Sequence, residues 1–434
     1  MNYDNYLKII EKYQISVGDE LIIDIGNVTY QGILIPTSEY NDKQNIVIKL
    51  KNGYNVGIDI NKIKSIKKTG VISKLKFSKS KNYVANSSLP RICVIGTGGT
   101  IASRVDYRTG AVKPTLSTHD LYSLIPELSK IAQIDCFPIC NVYSEHIEMK
   151  HWKIIANSIM EKINEKYDGV VVTHGTDTMG YTSAALSFAF QNCPIPIILV
   201  GSQRSPDRPS SDAMLNLIGA TKIISEKKLS GVYVAMHSNM SNHQIVIHQG
   251  TSVRKNHTSR RDAFTSINRE PIAYVEKNKI SYTNITETNS QKFNFSSHFD
   301  EKVHLLKFHP SSNPKILDFL VKQNYKGVII EGTGLGHVSS NWYNSIKNAV
   351  NSGVIIGITS QCIAGRVSLN VYDTGRDLLS LGVIPLEDIV PETALTKLMW
   401  VLGNYKNIGE AKKIMLTNLA GEFSTRSIST IGKY

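Results

Sequence analysis

The stretch Cys93-Val94-Ile95-Gly96-Thr97-Gly98-Gly99-Thr100-Ile101-Ala102-Ser103-Arg104 runs a short apolar strand into three glycines and leaves two threonine hydroxyls beside bare backbone. The run Ile92 to Ile95 has the unbroken apolar character of a strand buried on both faces of a parallel sheet. Glycines let the chain turn sharply and let a ligand approach the backbone amides. The turn therefore sits at a strand's carboxyl end, the edge where open α/β sheets place their ligands.

A second segment, Val170-Val171-Val172-Thr173-His174-Gly175-Thr176-Asp177-Thr178-Met179, again ends a β run in hydroxyls and adds a carboxylate. If the two strands are parallel members of one sheet, Thr97, Thr100, Thr176 and Asp177 share its carboxyl edge and one cleft. The alternative reading of Thr176 to Thr178 is a helix cap, since Thr and Asp satisfy the orphan amides of a helix start. Two hydroxyl-bearing turns in one domain favour the cleft. Neither turn fits a nucleotide: counted from Gly96, the last position of G-x-G-x-x-G is Ile101, and the chain has no G-x-x-x-x-G-K-[ST].

The chain has 434 residues, 41% hydrophobic and 20% charged, a globular composition with room for two or three domains. No apolar run reaches the roughly 18 residues that span a bilayer, and the first residues lack a secretory pattern, so a cytoplasmic protein is expected. The five cysteines are expected to be free and buried, with Cys136 and Cys140 in the core rather than on a metal. A net charge of +13 admits a polyanionic partner. Eight lysines and no acid between Lys62 and Lys81 read first as a solvated linker and second as a nucleic-acid patch.

Residues 15–68 alternate short β runs (Glu20 to Ile25, Thr29 to Ile35, Asn45 to Lys49, Tyr54 to Ile58) with turns, Asn52-Gly53 reading as a two-residue hairpin. This predicts a small all-β barrel. After Pro90, strands alternate with helical text, which predicts an α/β fold with mostly parallel sheets. A polar stretch from Thr286 to Glu301 reads as an interdomain linker. Three units are expected: residues 1–85, the barrel and basic linker; 86–290, a larger α/β domain with both turns; and 300–434, a smaller α/β domain.

The pair Thr97-Gly98-Gly99-Thr100-Ile101-Ala102 and His174-Gly175-Thr176-Asp177-Thr178-Met179 resembles the two signature segments of the bacterial-type L-asparaginase family, with likeness from about Arg91 to the carboxyl end. The resemblance implies a two-domain asparaginase-like fold and amide hydrolysis through an acyl-threonine intermediate. It matches Thr100 to the nucleophile, with Thr176 as the alternative, and Tyr107 to the tyrosine of a mobile flap. Ser144 matches the serine that holds the substrate's α-carboxylate, and Gly99 and Gly175 fall in the substrate-binding turns. Thr176, Asp177 and Lys255 match a triad.

The chemistry is coherent, because a threonine hydroxyl needs a neighbouring base to attack near neutral pH. A lysine shielded from water gives up its proton more readily, which suits Lys255 to take one from Thr176 while Asp177 orients it and holds the substrate's ammonium. Backbone amides around Gly98 to Thr100 and at Thr176 would stabilise the oxyanion, about 3 kcal/mol per donor in comparable sites. The resemblance assigns His174 no proton transfer. Taken alone, Lys255 is an ordinary surface lysine; only the register of Asp262, Phe264, Ser266 and Asn268 after it lifts it above that.

Three features depart from simple members: residues 15–68, the segment Ser252 to Phe264, and the carboxyl-terminal text from Ser360 to Leu378 with Pro391 to Ala394 and Lys397 to Trp400. They are similar to the D-subunit family of archaeal glutamyl-tRNA(Gln) amidotransferases over essentially the whole chain. That likeness implies ammonia release from glutamine or asparagine for a partner, the amidotransferase E subunit, which binds tRNA and uses ATP and Mg to convert Glu-tRNA(Gln) to Gln-tRNA(Gln). It implies no cofactor on this chain and a homodimer within a heterotetramer. The alternatives are a free-standing cytosolic L-asparaginase with an accessory barrel, and a non-catalytic tRNA-binding scaffold.

Overall fold

The computed structural model describes residues 3–35, 44–52, 54–71, 88–98, 103–105, 112–114, 125–204, 210–241, 243–277, 279–283, 292–426 and 428. The chain begins with helix α1 (Tyr3–Lys12), followed by strands β1 (Asp19–Asp24), β2 (Thr29–Leu34), β3 (Asn45–Leu50), β4 (Asn55–Asp59) and β5 (Ser65–Val71). They form one antiparallel sheet in the order β4-β3-β2-β1-β5. Alternation in Asp19–Asp24 buries Leu21 and Ile23 on one face, the period-2 signature of a half-buried strand.

The expected barrel does not close: β4 and β5 are the two edges, and no pairing joins them among the described residues. Helix α1 instead packs Tyr6, Ile9 and Ile10 against the core around Leu21, Ile23, Leu34, Ile46 and Ile48. Part of the expected basic linker is also structured. Residues 65–71 are strand β5, paired to β1, and Lys68 meets the buried Asp19 at 2.7 Å; residues 72–87 lie outside the described residues. The hairpin turn is longer than two residues, because Leu50 N donates to Tyr54 O at 2.8 Å and leaves 51–53 between them; Gly53 is not among the described residues.

The large α/β domain is built on β6 (Arg91–Gly96), β7 (Ser103–Val105), β8 (Val112–Pro114), β9 (Gln133–Pro138), helix α2 (Met149–Asn164), β10 (Gly169–Thr173), helix α3 (Met179–Ala189), β11 (Phe190–Gln191), β12 (Pro196–Val200), helix α4 (Ala213–Ser225), β13 (Gly231–His237), β14 (Gln244–Gln249), β15 (Val253–Lys255), β16 (Phe264–Ser266), β17 (Ala273–Glu276) and β18 (Lys279–Tyr282). Its main sheet has the order β18-β17-β14-β13-β12-β10-β6-β9. The five strands from β9 to β13 are mutually parallel and the rest antiparallel, so the sheet is mostly parallel as expected. From β6 the chain moves to β9 on one side and then to β10 on the other. The β6/β10 edge is therefore the point at which the winding reverses, where such sheets bind ligands.

Both faces of that sheet are covered. Helix α4 lies in one core with Ile92, Val171 and Ile198, while α2 and α3 lie in the other with Ile95, Val172 and Leu199. The smaller domain follows β19 (Asn294–Phe295), with a parallel sheet of β20 (Val303–Lys307), β21 (Gly327–Gly332), β22 (Ile355–Ser360) and β23 (Ile384–Pro385). Its helices are α5 (Lys315–Lys322), α6 (Tyr343–Asn351), α7 (Asp373–Ser380), α8 (Pro391–Asn404) and α9 (Ile408–Met415). Between the domains, Ala184, Ala185 and Phe188 of α3 share a core with Leu398 and Trp400 of α8. Two-sided packing explains why α3 is apolar and small-residue-rich nearly all round.

Two further expectations need correction. The stretch read as a polar linker is partly packed: Phe295 pairs with Phe190 across β11 and β19, and Phe293, Phe295 and Phe299 pack on the main core. Three phenylalanines in polar text are enough to dock it. Of the cysteines, Cys93 and Cys193 are buried, Cys136 and Cys140 half-buried, and Cys362 exposed. No helix of the described residues is long and apolar enough to cross a membrane.

Candidate active site

The two sequence turns meet at the β6/β10 edge. Their strands are direct neighbours, Ile95 opposite Val172 and Gly96 opposite Thr173. Thr97 is buried and its hydroxyl donates to Thr173 O at 2.8 Å, so it ties the strand ends together. Gly98 has φ of +109°, and a Cβ there would stand 2.7 Å from both the N and O of Val142. Only glycine fits that turn. Gly99 and Thr100, which follow, and Tyr107, in the connection from β7 to β8, lie outside the described residues.

Ser144, Gly175, Thr176, Asp177 and Lys255 are brought together. Lys255 Nζ donates to Thr176 Oγ1 at 2.8 Å and to Asp177 Oδ1 at 2.7 Å. Its side chain is only 13% exposed against 64% for Asp177, which removes the surface-lysine reading. Ser144 Oγ donates to the other Asp177 oxygen at 3.4 Å, and Thr178 Oγ1 donates to Ser144 O at 2.6 Å. Gly175 makes this approach possible, since a Cβ there would lie 2.7 Å from Ser144 Cβ. The capping alternative fails as well. Thr178 is the N-cap of α3 but makes no side-chain cap bond, and the Asp177 carboxylate is turned to Lys255 and Ser144.

Lys255 reaches the turn from the hairpin β15–β16, in which it pairs with the buried Phe264. This crossing is invisible to spacing: 78 residues separate Lys255 from Asp177. His174 is wholly buried, with Nδ1 2.7 Å from Gly175 O and Nε2 2.9 Å from Thr182 Oγ1. A carbonyl only accepts, so Nδ1 carries the proton and Nε2 accepts from Thr182, whose oxygen in turn accepts from Trp152 Nε1 at 3.0 Å. Burial lowers the ring's pKa to about 4, against the opposing Gly175 bond. His174 is thus a neutral structural strut.

Sequence reasoning missed the floor of the site. A Cβ on Gly201 would stand 2.8 Å from Thr176 Cγ2 and 3.1 Å from His174 O. Gly201 O accepts from Asn216 Nδ2 at 3.0 Å, and the buried Asp212 accepts from the backbone amides of Gln203 and Arg204. These residues lie in the turn after β12 and at the start of α4. The one available signal was a glycine at the carboxyl end of a third parallel strand.

This geometry, a hydroxyl, a carboxylate and a shielded lysine at the switch point of a two-domain α/β fold, defines an amidohydrolase-type protein of the asparaginase class. Family models agree with it in three places: the asparaginase N-terminal domain over residues 91–287, the glutaminase/asparaginase C-terminal domain over 302–415, and the GatD N-terminal domain over 15–68. The chain belongs to the asparaginase family, in the amidotransferase branch that carries the GatD N-terminal domain. The D subunit of glutamyl-tRNA(Gln) amidotransferase from Pyrococcus furiosus is 47% identical over 98% of both chains, and that from Thermococcus kodakarensis is 44% identical over 96% of both. Among solved structures, the thermostable L-asparaginase from Thermococcus kodakarensis is 34% identical with a TM-score of 0.70, covering 77% of this chain and 99% of its own.

Proposed function

We propose that the chain is the amidase subunit of a tRNA-dependent amidotransferase, releasing ammonia from glutamine or asparagine for use on a tRNA-bound glutamate. The observation that carries the chemistry is Lys255 Nζ held at hydrogen-bond distance from both Thr176 Oγ1 and Asp177 Oδ1. The full-length relatives, named as subunits, and the GatD N-terminal domain favour this reading over a free-standing L-asparaginase.

In this reading Thr100 attacks the side-chain amide carbon, with Thr176 as the alternative nucleophile. The C–N bond breaks and the threonine proton leaves with the nitrogen as ammonia. Water then cleaves the threonine ester, freeing the acid and restoring the hydroxyl. Lys255 donates to Thr176 in the resting geometry; in the reacting state the same contact carries the proton the other way, to a neutral amine. Asp177, with one oxygen on Lys255 and its side chain largely exposed, orients the amine and faces the substrate's ammonium. Ser144, beside Gly175, takes the α-carboxylate, and Gly99 and Tyr107 complete the substrate contacts.

The ammonia passes to the amidotransferase E subunit, which binds tRNA and holds ATP and Mg to activate the glutamate of Glu-tRNA(Gln). This chain needs no cofactor of its own. It works in the cytoplasm as a homodimer within a heterotetramer, and its net charge of +13 suits an assembly on tRNA. The test is Thr176→Val in the complex. Glutamine-dependent amidation should be lost and ammonia-dependent amidation kept; loss of both would mean a broken fold or partner contact. Full-rate asparagine hydrolysis by the native chain alone, unchanged by partner and Glu-tRNA(Gln), would favour the free asparaginase.

A further inference from the structure

Lys255 is aimed at Thr176, and the residue before it is held by the other domain. Arg254 Nε lies 3.1 Å from Glu392 Oε1, with the two side chains 24% and 15% exposed. Glu392 stands in the first turn of α8, where a helix start favours a carboxylate. Its neighbour Thr393 donates Oγ1 to Thr251 O at 2.8 Å. Two consecutive residues of a C-terminal-domain helix therefore grip the chain at 251 and 254, immediately before Lys255.

Helix α3 contacts the same segment. Ser183 Oγ donates to Gly250 O at 2.7 Å, and a Cβ on Gly180 would stand 3.3 Å from Val253 O. The charged and titratable groups around this strand are Asp177 from the turn after β10, Tyr181 from α3, Lys307 from β20, Glu331 from β21 and Glu392 from α8. On the hairpin itself, besides Lys255, they are Arg254, His257, Arg260, Arg261 and Asp262, with Arg260 and Asp262 closed on each other at 2.7 Å and Arg261 donating to Ser210 O. Burial raises the Glu392 carboxyl above its ordinary range, with Arg254 opposing and Glu331 assisting. Burial also pushes the Tyr181 hydroxyl up to about 12, Glu392 adding to it.

We propose that Arg254 and Glu392 are positioning residues for the amidase reaction: the C-terminal domain, through this ion pair and the Thr393–Thr251 bond, fixes the strand that aims Lys255 at Thr176 and Asp177. The proposal rests on the reading of Lys255 as the proton carrier. Adjacent strand residues leave on opposite faces, so a restraint on Arg254 sets the direction of Lys255. It also makes the small domain part of the catalytic geometry rather than a passenger.

The experiment uses the full chain with its partner and measures glutaminase kinetics from pH 5 to 9 for Glu392→Gln, Glu392→Asp, Glu392→Gln/Arg254→Gln and Lys255→Met, with thermal unfolding of each. Glu392→Gln should lower kcat roughly tenfold or more with KM within about threefold of native, the split expected when aim rather than substrate binding is lost. Its unpaired Arg254 cation should move the acid limb of kcat to lower pH by several tenths of a unit or more. The double variant should return the limb toward native while kcat stays low, and Glu392→Asp should restore part of kcat. A native kcat in Glu392→Gln, or a loss with an unmoved limb, overturns the proposal. If Lys255→Met is inactive while the Glu392 variants behave as native, only the positioning role fails; if Lys255→Met keeps full activity, the reading beneath it fails.

Discussion

Thr176 keeps its place because nothing larger than hydrogen fits at Gly201, where an added methyl would meet Thr176 Cγ2 at 2.8 Å and the His174 carbonyl at 3.1 Å. Gly201→Ala must therefore move the threonine away from Lys255 or shift buried backbone. We expect roughly tenfold or greater loss of kcat, with destabilisation of about 1–3 kcal/mol, the usual cost of overpacking a close contact. Steady-state kinetics with a denaturant midpoint checks both; native activity would show that Thr176 needs no such floor. Thr97 shows the complementary case. Its hydroxyl is consumed by Thr173 O, so although it stands in the signature turn it is a brace. That Ser144, Thr176, Asp177 and Lys255 belong together was legible because their motifs are local or lie in a family register. Gly201, Asp212 and Asn216 were not, because each acts only on a neighbour supplied by folding.

At the scale of elements, the segment after α9 is fastened by a buried ion pair. Lys397 of α8 and Glu422 are both fully buried, 2.6 Å apart. The ammonium also donates to Met415 O and Thr417 O, and the carboxylate accepts from the amides of Leu419 and Ala420. Burial pulls the Lys397 pKa down while Glu422 holds it up. Glu422→Ala leaves a buried cation and empties two amides, so it should cost about 3–5 kcal/mol, whereas Lys397→Met with Glu422→Leu should cost far less. Chemical denaturation of the three proteins decides this; equal losses would mean the apolar pair cannot fill the space. The same scale explains two elements that their own residues disguise. Strand β5 lies in lysine-rich text because an edge strand beside solvent tolerates charge. Helix α1 replaces barrel closure because its Tyr6, Ile9 and Ile10 bring the apolar surface that the sheet's open face requires.

At the scale of the whole molecule, the buried His174 and His248 make the fold sensitive to acid. Burial lowers His174 to about 4 and His248 to about 3, both below the ordinary value of 6.5. Above pH 6.5 both rings are neutral whether the chain is folded or not. As pH falls from 6.5 toward 4, the unfolded chain takes up protons that the fold refuses, so stability drops by about 1.4 kcal/mol per pH unit for each ring. Thermal unfolding at stepped pH should show the midpoint falling over that range, more shallowly in a His248→Gln variant; a flat response would mean that the rings titrate normally. The alternation of strands and helices after Pro90, the mostly parallel sheet and the residue types of both turns are written in the linear chain, because periodicity, glycine turns and signature spacing are properties of neighbouring residues. Folding alone settles that the amino-terminal sheet stays open, that phenylalanines dock the polar stretch, and that the C-terminal domain grips the strand bearing Lys255. Those depend on which surfaces meet, and no single segment carries that information.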